Sequence, residues 1–280
     1  MRLDEYFGRI GFEGPVQPDL ECLTALHQQH LLSIPYENLD VQLQRPVDLD
    51  GQRIFDKIVL QQRGGWCYEM NGLLEWALVE IGFDVMRMNG GVMRAEWGDD
   101  ALGNHLVLCV NLDEPYVADV GLGDGLFEPV PLRADTFTQG AMEYQLELLD
   151  DGLWRFHNHS GRSPPSFDFN HAPADEELFA QRCSELQSEP DSMFVQNLIC
   201  QRIATDGTYM LLGRVLSHLV GDEVNRTLLM SPEQLQATLL DVFGLDMPEA
   251  AELWPRVVER HNALFGDTNV DEIRFGPPSS

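Results

Sequence analysis

The stretch "RGGWCYEMNG", residues 63–72, sets Cys67 just after the pair Gly64-Gly65 and at the start of an apolar pattern with helical spacing. The first turn of a helix carries unpaired N–H groups and a partial positive charge, and both favour thiolate over thiol. At the ordinary thiol pKa of about 8.5 only a few per cent would be ionised near neutrality, so the helix end needs a base beside it. The stretch "NHLVLCV" supplies His105. In the hairpin from His105 to Val120, "NLDEP" is the natural reversal, and a register centred on Leu112 sets His105 opposite Asp119. Facing residues on one side of a sheet have Cβ atoms about 4.5–5.5 Å apart, near enough for a carboxylate to hold one imidazole nitrogen while the other points away. Cys67, His105 and Asp119 therefore have the types required of nucleophile, base and orienting acid, an arrangement like that of the cysteine proteases.

The rest of the chain has to bring these three together. The spacing predicts a helix from Cys67 to Ile81, with Leu73, Leu74, Ala77, Leu78 and Ile81 on its buried side and Gly82 as a left-handed stop. Upstream, Leu20, Leu23, Leu26 and Leu31 outline a helix that Pro35 closes, and Ile54, Ile58 and Val59 outline another. From Phe83 to about Glu189 the period shifts to short apolar runs divided by turn residues, with Asp151-Gly152 the strongest hairpin signal. After Pro190 come a hairpin turning at Asp206-Gly207 and helices in "SPEQLQATLLDVFG" and "AELWPRVVERHNALFG", the first with Ser231 as N-cap, Pro232 at its first position and Gly244 past its end. The expectation is an α+β chain in three units. Residues 1–83 form a helical bundle with the nucleophile, 84–189 an antiparallel β-barrel with His105 and Asp119, and 190–280 an α/β lid.

Composition narrows the function classes. The formal charge is -28 and Lys57 is the only lysine. Such a field repels nucleic acid and anionic lipid, so neither is an expected partner. The acid excess also fits adaptation to high salt. Cys22, Cys109, Cys183 and Cys200 read as small packed hydrophobes, and five cysteines without a CxxC pair fit a reducing compartment. The opening "MRLDEYFGRIGFEGP" lacks the apolar stretch of a signal peptide, and no run approaches the roughly 18 apolar residues of a membrane span, so a cytoplasmic protein is expected. His27, His30, His218 and His261 read as structural. His157, His159 and His171 could suggest a metal, but no thiolate is near and a proline-rich segment intervenes, so no metal is expected.

Taken in order and spacing, "RGGWCYEMNG", "NHLVLCV" and "YVADVGLG" resemble the arylamine N-acetyltransferase family, as do "YFGRIGFEGP", "LHQQHLLSIPYENLD" and "NLICQRIATDGTYMLLGR". The resemblance implies the same three-part fold and a role in xenobiotic metabolism. It implies ping-pong transfer from acetyl-coenzyme A, through a thioester on Cys67, to an arylamine, hydrazine or arylhydroxylamine. His105 would then activate the sulfur and Asp119 orient the ring, with Arg63 and Glu37 as a structural ion pair beneath the loop. Tyr36, Val92, Asn104, Leu122 and Phe194 match positions lining the acyl and acceptor cleft. Three of them depart from the usual residue: Tyr36 and Leu122 stand where phenylalanine is common, and Asn104 where threonine often precedes the histidine. Losing a ring at Leu122 removes stacking worth about 0.5–1.5 kcal/mol with a flat amine. The backbone amides of Gly121 and Gly123 in "GLGDG" are candidates to hold coenzyme A phosphates, opposed by Asp124. Three other readings remain open: an amide synthase of the same fold that closes macrolactams, a cysteine hydrolase or transglutaminase-like enzyme, and a binding protein with an inactive site.

The charge yields a first prediction. Melting temperature should rise clearly between low and molar potassium chloride as self-repulsion is screened, and a flat curve would dispose of the high-salt reading.

Overall fold

The computed structural model describes residues 1–159, 162–221 and 223–273. Five helices open the chain: α1 (Leu3–Ile10), α2 (Leu20–Ser33), α3 (Leu39–Gln42), α4 (Gly51–Phe55) and α5 (Cys67–Ile81), with the short strand β1 (Tyr36–Glu37) between α2 and α3. Side-chain caps fix the starts of α2 and α4, Asp19 accepting the Cys22 N–H and Asp50 the Arg53 N–H. Helix α4 runs into a π-helical turn, Asp56–Leu60. Gly82, at φ +108°, ends α5 as its spacing predicts. The apolar faces meet in one core that includes Tyr6, Leu23, Leu26, Phe55, Trp66, Tyr68, Leu74 and Leu78.

The next segment holds β2 (Asp84–Val92), α6 (Arg94–Trp97), β3 (His105–Asn111), β4 (Pro115–Ala118), β5 (Val130–Pro131), β6 (Asp135–Gln139), β7 (Met142–Leu148), β8 (Trp154–His157) and β9 (Ser166–Phe169). The strands form one antiparallel sheet in the order β5-β4-β3-β2-β9-β8-β7-β6. The expected barrel is thus a curled half-barrel, with no ladder between β5 and β6 at its edges. A side chain spans that gap: Gln139 Oε1 accepts the Phe127 and Glu128 N–H groups at 2.7 and 3.1 Å, and its Nε2 donates to the Glu128 carbonyl at 2.8 Å. Strand β3 is buried on both faces. Leu106, Leu108 and Val110 join the helical core, whereas Val107 and Cys109 join the half-barrel core with Phe156, Phe167 and Phe169.

The hairpin register differs from expectation. Leu108 pairs with Ala118 and Cys109 with Val117, two residues beyond the predicted partners, because the reversal closes between Leu112 and Glu114. The ladder stops at Ala118, and the direct partner of His105 is Gly90 on β2. Side chains alternate with a period of two, so a slip of two leaves the faces unchanged where a slip of one would have inverted them.

Helix α7 (Glu176–Ser188) lies within a stretch whose sequence reads as strands. Asp175 caps it, and Phe179 and Cys183, one turn apart, enter the helical core. The short helix α8 (Met193–Gln196) leads to β10 (Ile199–Ala204), β11 (Gly207–Leu212), β12 (Val215–Val220) and β13 (Glu223–Leu228), in a sheet ordered β1-β10-β11-β12-β13. Its first turn falls at Thr205-Asp206, one residue before the expected position. Ser231 caps α9 (Pro232–Asp241) as predicted, and a 3-10 turn at Pro248–Leu253 precedes α10 (Trp254–Phe265). The last seven residues of the stretch 190–280 lie outside the described residues. Strand β1 joins this sheet to the helical core: Tyr36 pairs with Gln201 and also bridges to Gly65, next to the loop that carries Cys67. No helix among the described residues is long and apolar enough to cross a membrane.

That loop leaves no room for a side chain at Gly64, where a Cβ would stand 2.1 Å from the Pro35 carbonyl oxygen. Gly64→Ala should therefore lower stability by about 2–4 kcal/mol in urea denaturation. An unchanged midpoint would show that the loop yields.

Candidate active site

Cys67 is the first residue of α5, His105 the first of β3, and Asp119 follows the end of β4. His105 Nε2 lies 2.8 Å from Asp119 Oδ2. A carboxylate can only accept, so the ring proton faces the acid and Nδ1 is left for another partner. The Cys67 sulfur stands close enough to the ring to act on it electrostatically, and it lies 3.7 Å from the Asn104 carbonyl oxygen. All three side chains are buried, with Cys67 only 4% exposed. The neighbours with more exposure are Val92, Asn104 and Phe194.

The carboxylate is held from several directions. Asn71 Nδ2 donates to Asp119 Oδ1 at 2.8 Å and to the Leu106 carbonyl, while Asn71 Oδ1 accepts the Val120 N–H. Asn71 stands one helical turn beyond Cys67, so α5 presents the thiol and this amide on one face. The Gly121 N–H also donates to Asp119 Oδ1 at 2.8 Å. A Cβ at Gly121 would meet Asn71 Nδ2 at 2.6 Å and Cys67 Cα at 2.8 Å, so this loop approaches the nucleophile's main chain only as glycine. From α2, His27 Nε2 accepts the Asp119 N–H and its Nδ1 donates to the Phe127 carbonyl, each at 3.2 Å. Burial lowers the His27 pKa to about 4, which keeps that ring neutral and able to accept.

Burial opposes a charge on His105, but the Asp119 carboxylate and its hydrogen bond, with Cys67 adding to them, outweigh it and raise the ring to about 10. Burial likewise opposes ionisation of Asp119, yet the facing imidazole, Asn71 and the Gly121 N–H hold it below the usual carboxylate range. At neutral pH the pair is therefore imidazolium and carboxylate.

The remaining expectations divide. Tyr36 is buried beside the nucleophile; burial first and Cys67 second push its hydroxyl well above its ordinary pKa. Phe194 stacks edge-on against Trp66 at 5.3 Å, and Asn38 donates to its carbonyl. Asn104 clamps β2 to the start of β3, its side chain bonding both the N–H and the carbonyl of Val92 at 2.8 and 3.1 Å. Leu122 packs in the half-barrel core with Val117 and Leu126. The phosphate role expected of Gly121 is corrected, since its N–H is already engaged by Asp119. A Cβ at Gly123 would stand 1.6 Å from Gln201 Oε1, so the Gln201 side chain fills the space beside it. Arg63 bonds Glu37 Oε1 at 2.9 and 2.6 Å, the ion pair expected beneath the loop. His157 faces Glu147 and His171 faces Cys109. Sequence reasoning missed the contributions of Asn71 and His27 to Asp119. Asn71 had a usable signal in its four-residue spacing from Cys67, and His27 had none.

A family described as N-acetyltransferase matches residues 19–252. The arylamine N-acetyltransferase of Mycolicibacterium smegmatis is 34% identical over 269 residues, covering 92% of this chain and 98% of that protein. The pineal gland isozyme NAT-3 of Gallus gallus, also an arylamine N-acetyltransferase, is 32% identical, covering 88% and 95%. Among solved structures, an arylamine acetyltransferase variant from Mycobacterium smegmatis superposes with a TM-score of 0.83 at 33% identity over 92% of this chain and 98% of that one. The Mycobacterium marinum arylamine N-acetyltransferase in complex with CoA gives 0.82 at 28% identity over 98% and 100%.

The raised pKa of His105 has a pH signature. A group whose pKa is higher folded than unfolded stabilises fully below its unfolded value, about 6.5, and that contribution disappears as pH rises through its folded value. The stability deficit of His105→Gln in urea should thus be largest near neutrality and below, and should shrink as pH approaches about 10. A deficit that does not change with pH would refute the charged pair.

Proposed function

Because this chain belongs to the arylamine N-acetyltransferase family, we propose that it carries an acetyl group from acetyl-coenzyme A to an arylamine, hydrazine or arylhydroxylamine through a thioester on Cys67. The observation that carries the reading is a buried thiol at a helix start, beside an imidazole that a buried carboxylate holds at 2.8 Å.

In the first half-reaction the Cys67 thiolate attacks the acetyl carbon of the donor. The bond from that carbon to the coenzyme A sulfur breaks, and His105 gives its proton to the departing thiolate. The product is acetyl-Cys67 beside a neutral ring. Exchange of one thioester for another is nearly neutral in energy, so the acyl group is stored at little cost. In the second half-reaction the amine attacks the same carbon, His105 takes the N–H proton, and the Cys67 thiolate leaves, which restores the starting pair. Asp119 keeps the ring in the tautomer and orientation that both steps need. Water is the competing acceptor, and the near-complete burial of Cys67 supports protection of the intermediate from hydrolysis.

Tyr36, Val92, Asn104, Leu122 and Phe194 are the proposed contacts for the acyl and acceptor groups. Leucine at 122 offers no ring for stacking, which favours acceptors less dependent on a flat aromatic face. Five free, buried cysteines support a reducing compartment, and we place the protein in the cytoplasm.

The test is coenzyme A release from acetyl-coenzyme A against a panel of arylamines and hydrazides. Release should depend on the amine, should vanish in Cys67→Ala and should fall roughly 10³-fold or more in Asp119→Asn. Release independent of amine, or more than a tenth of the activity left in Cys67→Ala, rejects the mechanism.

A further inference from the structure

Behind the nucleophile lie five charged side chains, and one of them is the only lysine in the chain. Lys57 extends from the π-helical turn Asp56–Leu60, and such turns recur at functional positions. Its Nζ lies 2.9 Å from both oxygens of Glu69, 2.9 Å from Asp40 Oδ2 and 3.9 Å from Glu37 Oε1. Arg63, the second cation, is engaged by Glu37 and by Asp40 at 3.2 Å. Glu69, in the first turn of α5, accepts the Trp66 N–H at 3.2 Å. That peptide immediately precedes Cys67, and the bond is the carboxylate half of a capping box. Two cations thus face three acids whose side chains are largely buried.

The balance at Glu69 is one-sided. Burial pushes its carboxyl above the ordinary range, Glu37 adds to the rise, and the main opposing influence is Lys57. The groups facing this cluster are Tyr36 and Glu37 from β1, Asp40 from α3, Lys57 from the π turn, Arg63 from the loop and Cys183 from α7. Arg45, Asp48 and Arg53 stand farther out, along a cleft of about 230 Å³ that opens onto Lys57 and Glu69. Arg63 is occupied by Glu37 and Asp40, which leaves Lys57 as the cation on Glu69.

We propose that Lys57 is a positioning residue for the nucleophile: its ammonium keeps Glu69 ionised, so that the carboxylate holds the Trp66 amide and, through it, the direction of the Cys67 side chain. The proposal rests on the reading of Cys67 as the acylated residue. Without the lysine, Glu69 is left buried among like charges and takes up a proton near neutrality, since an unpaired carboxylate is expensive in such a place. The capping bond weakens and the sulfur loses its alignment. Raising the pH restores the carboxylate and the alignment with it.

The experiment follows iodoacetamide alkylation of Cys67, together with kcat for coenzyme A release, from about pH 6 to about pH 9.5 in the full-length protein. Lys57→Met should be about tenfold slower than wild type near pH 7 and should recover as pH rises, a new limb in the profile. Lys57→Arg, which keeps the charge, should stay within about threefold of wild type at every pH. In Lys57→Met/Glu69→Gln the limb should vanish, because an amide accepts the Trp66 N–H without titrating. If Lys57→Met does not fold, Lys57→Gln takes its place. A Lys57→Met profile parallel to wild type, or a limb that survives in the double variant, overturns the proposal and leaves the acyl-enzyme reading standing. A wild-type Cys67 that alkylates no faster than a free thiol overturns that reading and the proposal with it.

Discussion

A carboxylate shut away from water must be matched donor for donor, and at Asp119 that requirement organises the molecule around it. The ring of His105, the amide of Asn71 and the N–H of Gly121 converge on its two oxygens, while its own N–H goes to His27. Those partners come from β3, α5, the loop after β4 and α2. Satisfying one acid therefore fixes four separate pieces of chain relative to one another. The same bond sets the charge on the imidazole beside the sulfur. Structure and proton chemistry depend on a single contact, and position 121 is glycine because the Asn71 amide and the Cys67 main chain leave no space for a methyl group there.

Much of this was legible in the sequence, for reasons that differ by element. The head of α5 showed itself because a glycine pair and a helical apolar period meet at Cys67. The encounter of His105 with Asp119 was readable although the register was wrong by two, because the two-residue period of a strand tolerates an even error. Helix α7 was hidden: "EELFAQRCSELQS" is mostly polar, and Phe179 and Cys183 are its buried residues, with Leu186 packed partly against the core. The π turn at Asp56–Leu60 has no signature in hydrophobic spacing. His27 and Asp119 are separated by 92 residues and joined by a backbone N–H, a contact that composition and period do not encode.

The distribution of charge also has a pattern. Several of the few cations neutralise acids inside the molecule rather than on it: Lys57 and Arg63 serve Glu37, Asp40 and Glu69, and Arg94 with Arg155 serve the fully buried Asp168. Burying these acids without partners would be prohibitive. The result is an interior close to charge balance beneath a surface left strongly negative, so the acidity that dominates the composition is largely a property of the outside.

The solitary lysine has a consequence for chemical self-protection. On the proposed reading the molecule carries an activated acyl group whose natural targets are amines, and lysine side chains are the commonest amines a protein displays. Here the one such side chain is locked among carboxylates, and every other basic side chain apart from histidine is a guanidinium that stays protonated. The exterior thus offers no lysine ε-amine to a stray thioester, and the enzyme is spared gradual modification by its own substrate.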